Sequence, residues 1–221
     1  MRRWLRDHSL TLTMLGLFAI FFIGQTITGM RSYNQDQIDH GETPVAYSSY
    51  LRSGHFVEAT FENWESEFLQ MGLYVLLTVF LFQRGSSESK DPDAKEPVDD
   101  DPSAERDRPD APWPVRQGGF ALALYQHSLT IALLLLFAVS FIFHAMGGAR
   151  HFSAEQIAHG GEAVSTLAFL QTAQFWFESF QNWQSEFLSV GVLVILSVYL
   201  RQRGSPESKP VAAPHSATGS G

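Results

Sequence analysis

Uncharged and mostly apolar residues are gathered into four runs along the chain, and none of these runs contains proline. The two longest, residues 9–30 and 128–149, have 22 residues each. At about 1.5 Å per helical residue they reach about 33 Å, which is enough to cross a hydrocarbon core of about 30 Å. Both runs therefore predict membrane-spanning helices.

The other two runs are shorter. Residues 68–83 and 187–200 reach only about 24 and 21 Å as helices. They span a membrane only if each helix is extended backward to Asn63 or Asn182. With that extension the pattern predicts an all-α integral membrane protein with four transmembrane helices.

Lysine and arginine counts orient these helices, because cytoplasmic flanks carry the excess of basic residues. Twelve of the 15 basic residues lie near the two termini or in the central segment, and only Arg31, Arg52 and Arg150 lie on the other side. Both termini are therefore predicted to be cytoplasmic, with residues 31–62 and 150–182 outside. Mixed apolar and polar stretches in these outer loops predict short extracytoplasmic helices at the interface.

A cleaved signal peptide is an alternative for the first run, since a basic start precedes an apolar stretch. No A-x-A pattern follows it, however. The first helix also has a counterpart in mid-chain that cannot be a leader. We therefore expect the first run to be a membrane helix.

The chain aligns with itself at a shift of 119 residues without a gap. Residues 61–69 match their counterparts at seven of nine positions and residues 83–90 at seven of eight, whereas residues 42–60 match at only three. Each copy is a helix, an outer loop and a helix. Because two crossings return the chain to its starting side, the copies share one orientation and form a parallel repeat.

Composition separates the repeats from their surroundings. Residues 88–116 form an acidic, proline-rich stretch that contributes −5 of the net charge of −8, and such a segment cannot bury a core. We predict two-helix repeats at 1–87 and 119–206, a disordered linker between them, and a disordered tail at 207–221. With no cysteine, disulfides and thiolate metal sites are excluded, and an acidic chain without a basic stripe argues against nucleic acid.

The motif Asn-Trp-x-Ser-Glu-Phe-Leu occurs at 63–69 and 182–188. Its asparagines are typical N-caps, its tryptophans suit a membrane interface, and its acidic groups favour a helix N-terminus. Alternatively, carboxylates at membrane depth often mark an ion or proton path. The candidate residues are Asn63, Trp64, Ser66, Glu67, Asn182, Trp183, Ser185 and Glu186.

The motif Gln-Arg-Gly-Ser-x-Glu-Ser-Lys follows the inner end of each second helix. Arg84 and Arg203 can reach lipid head groups, and Gly85 and Gly204 are typical left-handed C-caps. The remaining residues extend past the helix. We expect them to dock on the protein's own inner face, or else to meet a partner.

Two further pairs repeat in the outer loops. His40 and His159 each precede a glycine, which indicates a helix cap rather than a metal site, since the nearby acids are not kept in both copies and no metal signature is present. Arg31 and Arg150 are predicted to close the first helix of each copy and to cap its C-terminus or pair with acids.

At its two motifs the chain resembles a family of small bacterial membrane proteins classed as a domain of unknown function. The resemblance covers both halves but not the linker, and it implies a bacterial inner-membrane location without an activity. It rests on Trp64, Ser66, Glu67, Phe68, Arg84, Gly85, Ser86, Glu88, Ser89 and Lys90.

No catalytic string is present, and we expect neither an enzyme nor a cofactor or metal. The expected role is a structural or partner-binding module of the cytoplasmic membrane, in contact with the lipid bilayer and with a second copy or another membrane protein. The alternative is a small ion channel or transporter that uses Glu67 and Glu186.

Overall fold

The computed structural model describes residues 2–219, and the regular structure in that range is helical, without a strand. The all-α prediction is confirmed. Two short 3-10 turns, Pro97–Asp99 and Pro102–Glu105, precede the fifth α-helix. The α-helices are α1 (Arg2–Asp7), α2 (Ser9–Asp39), α3 (Tyr47–Tyr50), α4 (Gly54–Leu77), α5 (Trp113–Gln117), α6 (Gly119–Tyr125), α7 (Ser128–Ala158), α8 (Thr166–Phe169) and α9 (Ala173–Tyr199).

Two of these helices, α2 and α7, are long and apolar enough to cross a membrane. Helices α4 and α9 have 24 and 27 residues, so they measure about 36 and 40 Å. Their first halves are polar, however, so their composition does not mark them as membrane-spanning in the way that it marks α2 and α7. Four crossings therefore stay a prediction.

The helices recur along the chain at a fixed interval. Helix α7 begins 119 residues after the start of α2, and both helices are 31 residues long. Helices α8 and α9 likewise begin 119 residues after the starts of α3 and α4. Only the ends of α4 and α9 differ. The spacing of the helices thus equals the shift at which the sequence matches itself.

The second helix of each copy begins earlier than the sequence predicts. Helices α4 and α9 start nine residues before Asn63 and Asn182, so the N-cap interpretation of these asparagines is wrong. The caps are Ser53 and Thr172, whose hydroxyl oxygens accept a hydrogen bond from the amide three residues further on, at 3.1 and 3.3 Å. No proline interrupts the chain between cap and asparagine, so the helix continues back to the hydroxyl.

The first helix of each copy ends later than predicted. Arg31 and Arg150 lie eight residues before the ends of α2 and α7, so the prediction that they close these helices is wrong. The polar residues that follow contain no glycine or proline before Gly41 and Gly160. These two glycines have φ values of 78° and 79°, and the amides at and after them return to carbonyls of the last turn, as in a Schellman motif.

The chain divides into two compact units. The first contains the residues up to Phe61 together with Ile142–Phe175, and the second contains Glu62–Phe141 and the residues from Trp176 onward. Each unit therefore contains parts of both copies. Residues 88–118 and 207–219, for which the composition predicts disorder, contain the two 3-10 turns, α5 and several hydrogen-bonded turns.

In the first unit, a glycine on each first helix receives a buried aromatic ring from the short helix that follows. A Cβ atom at Gly29 would collide with the Tyr50 hydroxyl, and one at Gly148 would collide with the Phe169 ring. Both rings are almost completely buried. Tyr50 and Phe169 occupy equivalent positions, so the same contact folds the outer loop back onto its helix in both copies.

Candidate functional site

The first unit contains a group of titratable side chains, here called the histidine cluster: Tyr50, His55, Glu58 and His151. The Nδ1 atom of His151 lies 2.6 Å from a carboxylate oxygen of Glu58. The rings of His55 and His151 meet edge to face with their centres 5.1 Å apart. The Tyr50 hydroxyl lies 3.4 Å from His55 Nδ1. Two histidines, a carboxylate and a phenol are thus in one chain of contacts.

Two glycines, which have no side chain, allow these groups to meet. A Cβ atom at Gly54 would lie 2.5 Å from the backbone nitrogen of His151, and one at Gly147 would lie 2.5 Å from that of Glu58. The backbones of α4 and α7 therefore approach closely at this level, as helices in membranes often do at small residues. Glu58 is buried as a result, and its carboxylate reaches the imidazole directly.

Burial sets the electrostatics of the cluster. Burial lowers the pKa of His55, and the charge of His151 lowers it further, while Asp36 acts in the opposite direction. A neutral His55 beside a His151–Glu58 pair can accept or pass on a proton. The arrangement is therefore suited to proton exchange on the side predicted to be extracytoplasmic.

Comparison of the two copies did not reveal this cluster, because it is built from positions at which they differ. The equivalents of His55 and Glu58 in the second copy are Gln174 and Phe177, and the residue that precedes His151 by 119 positions is Ser32. The available signal was the weakly matching stretch 42–60, which contains Tyr50, His55 and Glu58.

The outer histidines His40 and His159 serve as helix caps. Each lies at the end of its first helix with its Nδ1 atom 2.8 Å from the carbonyl oxygen four residues earlier. Their rings are 6.2 Å apart. The hydrogen bond to the Asp36 carbonyl, followed by the charge of Asp36, raises the pKa of His40. The predicted cap is the role that these contacts fit.

In the second unit, the most deeply buried carboxylate of the first Asn-Trp motif is Glu65. It is fully buried and accepts a 2.9 Å hydrogen bond from the indole nitrogen of Trp183. Glu67, by contrast, is exposed, although it lies near enough to Glu186 for their charges to interact. The two sequence-predicted glutamates are thus brought near each other.

The serines of this motif have a local role in both copies. The hydroxyls of Ser66 and Ser185 each donate a 2.8 Å hydrogen bond to the carbonyl of the asparagine three residues earlier. Ser66 is buried, whereas Ser185 is exposed. Trp64 is half-buried. The same local contacts therefore occur in two different environments.

The inner motifs form the paired serine loops, defined as residues 83–90 and 202–209. In each loop the last serine, Ser89 or Ser208, accepts a 2.9 Å hydrogen bond from the amide of the first glutamine. The first serine of each loop accepts from the amide of the glutamate, at 3.0 and 3.2 Å. One turn geometry thus explains why the spacing of serines recurs.

The glycines of these loops have the predicted left-handed conformation, but they do not lie at the ends of the helices. Gly85 and Gly204 have φ values of 87° and 83°, so their left-handed conformation is confirmed. Helices α4 and α9 end eight and five residues earlier, so the prediction that these glycines are C-caps is wrong. They form the turn of the serine loop instead.

The two loops interlock within the second unit. The hydroxyl of Ser86 lies 2.7 Å from that of Ser197, and Ser87 donates to the carbonyl of Glu207 at 3.2 Å. Lys209 is buried, and its amino group donates to the carbonyls of Gly85, His215 and Ala217, the last two at 3.1 and 2.9 Å. These contacts fit docking of the inner motif on the protein itself.

The basic residues of the loops differ between the copies. Lys90, the equivalent of Lys209, pairs with Asp99 at 2.5 Å. Arg84 is exposed and pairs with Asp93 at 2.7 Å, and Arg203 is also exposed. Arg84 of the first loop is thus at the surface and Lys90 is partly exposed. In the second loop, burial lowers the pKa of Lys209, and the charge of Arg201 lowers it further.

Residues 1–220 match a family model described as a domain of unknown function, DUF6766. The chain belongs to the DUF6766 family. No curated protein and no solved structure matches the chain. Membership in DUF6766 agrees with the resemblance to an uncharacterised family and adds no activity to it.

Replacement of His55 by glutamine, the residue at its equivalent position, should reduce the pH dependence of stability. Because folding lowers the pKa of His55, the unfolded chain binds more protons near the ordinary histidine value of about 6.5, and stability falls as the pH decreases through that region. The thermal midpoint in detergent should therefore fall less between pH 7.5 and 5.5 in His55→Gln than in the unmodified protein. His8→Gln, at an exposed histidine, is the control. An unchanged pH dependence in His55→Gln would contradict the assignment.

Alanine replacements at the two loop glycines should differ in cost. At either position an alanine must adopt the left-handed backbone conformation of the turn, which costs roughly 1–2 kcal/mol for a residue with a Cβ. Only at Gly85 would the new Cβ lie 2.5 Å from a carbonyl oxygen, that of His215, whereas at Gly204 it would meet no atom within 4 Å. We expect Gly85→Ala to lower the unfolding free energy by roughly 1 kcal/mol more than Gly204→Ala, measured by thermal or denaturant unfolding. Equal costs would show that the carbonyl of His215 does not lie against the first serine loop in solution.

Proposed function

We propose that this DUF6766 protein is a multi-pass protein of the bacterial cytoplasmic membrane that acts as a structural or partner-binding module. In this proposal α2, α4, α7 and α9 all cross the bilayer, as two parallel two-helix repeats with both termini in the cytoplasm. The protein is not an enzyme and needs no cofactor. The observation that carries the proposal is the exposure of large apolar side chains along α2.

Exposed apolar residues on α2 argue against the core helix of a soluble protein. Leu10, Ile20 and Phe21 are 71%, 63% and 69% exposed, and α7 likewise exposes Leu129 and Leu135. Soluble proteins rarely leave an apolar patch of this extent in water. Lipid tails would cover it, and part of it could instead contact a second copy or another membrane protein.

The recurrence of helices at 119-residue intervals supports the duplication, and the length of α4 and α9 supports two further crossings. In this topology the polar first halves of α4 and α9 lie near the outer interface. The paired serine loops lie on the cytoplasmic side, where their interlocking contacts would give the inner face a fixed shape. A rigid surface with exposed charges suits the binding of a partner better than a flexible surface would.

A small channel or transporter is the second candidate. It is favoured by the charge interaction between Glu67 and Glu186, since acidic groups at the edge of a membrane helix often line an ion path. We rank it below the structural module, because the neighbouring buried carboxylate of the same motif, Glu65, accepts a hydrogen bond from Trp183. That contact gives the motif a structural role that needs no ion path.

Membrane integration and orientation can be tested together. The protein should remain in the membrane pellet after alkaline carbonate extraction. A green fluorescent reporter fused after Gly221 should fluoresce, and alkaline phosphatase inserted after Gly41 should be active, because the first site is cytoplasmic and the second is outside. A soluble protein, or activity at the opposite sites, would contradict the proposal.

Ion flux in proteoliposomes separates the two candidate functions. A structural module should give no flux above that of empty liposomes for H⁺, Na⁺ or K⁺. Flux that is lost in the double variant Glu67→Gln and Glu186→Gln, but kept in Glu42→Gln, would replace the structural proposal with the channel. Glu42 is an exposed carboxylate in the outer loop, which makes it a suitable control.

A further inference from the structure

We propose that a cavity between α4 and α9 in the second unit binds one acyl chain of a phospholipid with a primary ammonium head group, such as phosphatidylethanolamine. The proposal rests on the proposed membrane location and adds a ligand to it. It combines three observations: an apolar cavity, a carboxylate that lines it, and cations in the same serine loop as the carboxylate.

The cavity has a volume of about 320 Å³, near the lower limit of roughly 300 Å³ for small-molecule sites. Its walls are mostly apolar and come from the last turns of α4, the residues that follow it, and the facing half of α9. Leu77, Leu81 and Phe82 line one side, and Phe187, Val190 and Val194 line the other. Such walls fit an aliphatic chain, which offers no hydrogen bonds.

Room for the chain depends on Gly191, which lines the cavity in α9. A Cβ atom at this position would meet no atom within 4 Å. The glycine therefore keeps open a space that a larger side chain could fill without a clash at its first atom. The equivalent residue in the first copy, Gly72, faces side chains instead: its Cβ would lie 3.0 Å from Leu134.

Gln70 and Thr78 contribute polar atoms along the α4 side of the cavity, but the one charged lining residue, Glu88, belongs to the first serine loop. Glu88 and Ser89 of this loop line the cavity together, and the hydroxyl of Tyr74 donates a 3.0 Å hydrogen bond to the Glu88 carboxylate. A carboxylate has about four acceptor sites, so the hydrogen bond from Tyr74 leaves capacity for a charged donor. An ammonium group at the end of a chain seated in the cavity would supply that donor.

Two cations lie in the same serine loop as Glu88. Arg84 is exposed beside the lining residue Gln83 and pairs with Asp93. The amino group of Lys90 pairs with Asp99 and lies 5.9 Å from the ring centre of the lining Phe82. These cations can attract a phosphate while Glu88 binds the ammonium. A zwitterionic head group matches this order of charges, whereas an anionic lipid without an amine leaves Glu88 without a cationic partner.

The second copy lacks this combination. The equivalents of Tyr74 and Phe82 are Leu193 and Arg201, and Arg201 donates to main-chain carbonyls of its own helix end. The equivalent of Lys90 is Lys209, which is buried among carbonyls. One lipid site per chain is therefore expected, at the first serine loop.

The test is native mass spectrometry of the full-length protein. The protein is reconstituted into vesicles of equal parts phosphatidylethanolamine and phosphatidylglycerol and released in a mild detergent. The unmodified protein should retain one phosphatidylethanolamine per chain, in excess over phosphatidylglycerol. Gly191→Leu should lower the retained lipid by about tenfold, because its side chain occupies the cavity. Gly16→Leu, at a glycine of α2 with equally open surroundings, should retain as much lipid as the unmodified protein.

Glu88→Gln examines the head group. This variant should keep a bound lipid but lose the preference for phosphatidylethanolamine, since an amide no longer attracts the ammonium. Equal retention of both lipids by the unmodified protein, or an unchanged preference in Glu88→Gln, would overturn the assignment of the head group.

Loss of all lipid from the unmodified protein, or undiminished lipid in Gly191→Leu, would overturn the site. If Gly191→Leu does not fold, as judged by circular dichroism, Val194→Phe fills the same cavity from the next turn of α9 and takes its place. Carbonate extraction remains independent of these results. A protein that stays in the membrane but binds no lipid would therefore refute the lipid site alone, whereas a protein absent from the membrane would refute the proposed function.

Discussion

Close contact between a glycine and an aromatic ring is the interaction on which the outer half of the fold depends. Where Gly29 meets Tyr50 and Gly148 meets Phe169, the chain after each first helix can fold back at once. The short helix is thereby fixed, and the hydroxyl that caps the next helix follows within a few residues. The starting points of α4 and α9 thus depend on the absence of a side chain about 25 residues earlier.

A shared backbone with different side chains makes the two copies specialise. In the histidine cluster, an imidazole and a carboxylate occupy the positions that are Gln174 and Phe177 in the second copy. The cluster also needs the close approach at Gly54 and Gly147. Lys90 and Lys209 occupy the same place in the repeat, yet one pairs with a surface carboxylate and the other is enclosed by carbonyls.

The sequence was sufficient for features governed by short-range rules. Apolar run length predicted α2 and α7, and the glycines after His40 and His159 predicted the closing turns. The sequence-based prediction was wrong at the start of α4. Asn63 is a good N-cap in isolation, but the helix extends back to Ser53, ten residues earlier, whose hydroxyl is the actual cap.

Contacts between distant residues were beyond the sequence. The hydrogen bond from Trp183 to Glu65 joins residues 118 positions apart, and nothing in either motif distinguishes Glu65, as the buried carboxylate, from Glu67. The histidine cluster was missed for a related reason. Matching the two copies directs attention to what they share, whereas the cluster consists of residues at which they differ.

The clasp between the first serine loop and the end of the chain has a consequence for the order in which the protein is made. The amide of Gly85 donates to the hydroxyl of Thr218, its carbonyl accepts from Lys209, and the carbonyl of Ser86 accepts from the amide of Gly219. Each of the three partners is synthesised more than 120 residues after the loop residue that it binds. The first serine loop therefore emerges from the ribosome without its partners, and it reaches its final form only after residue 219 has been translated.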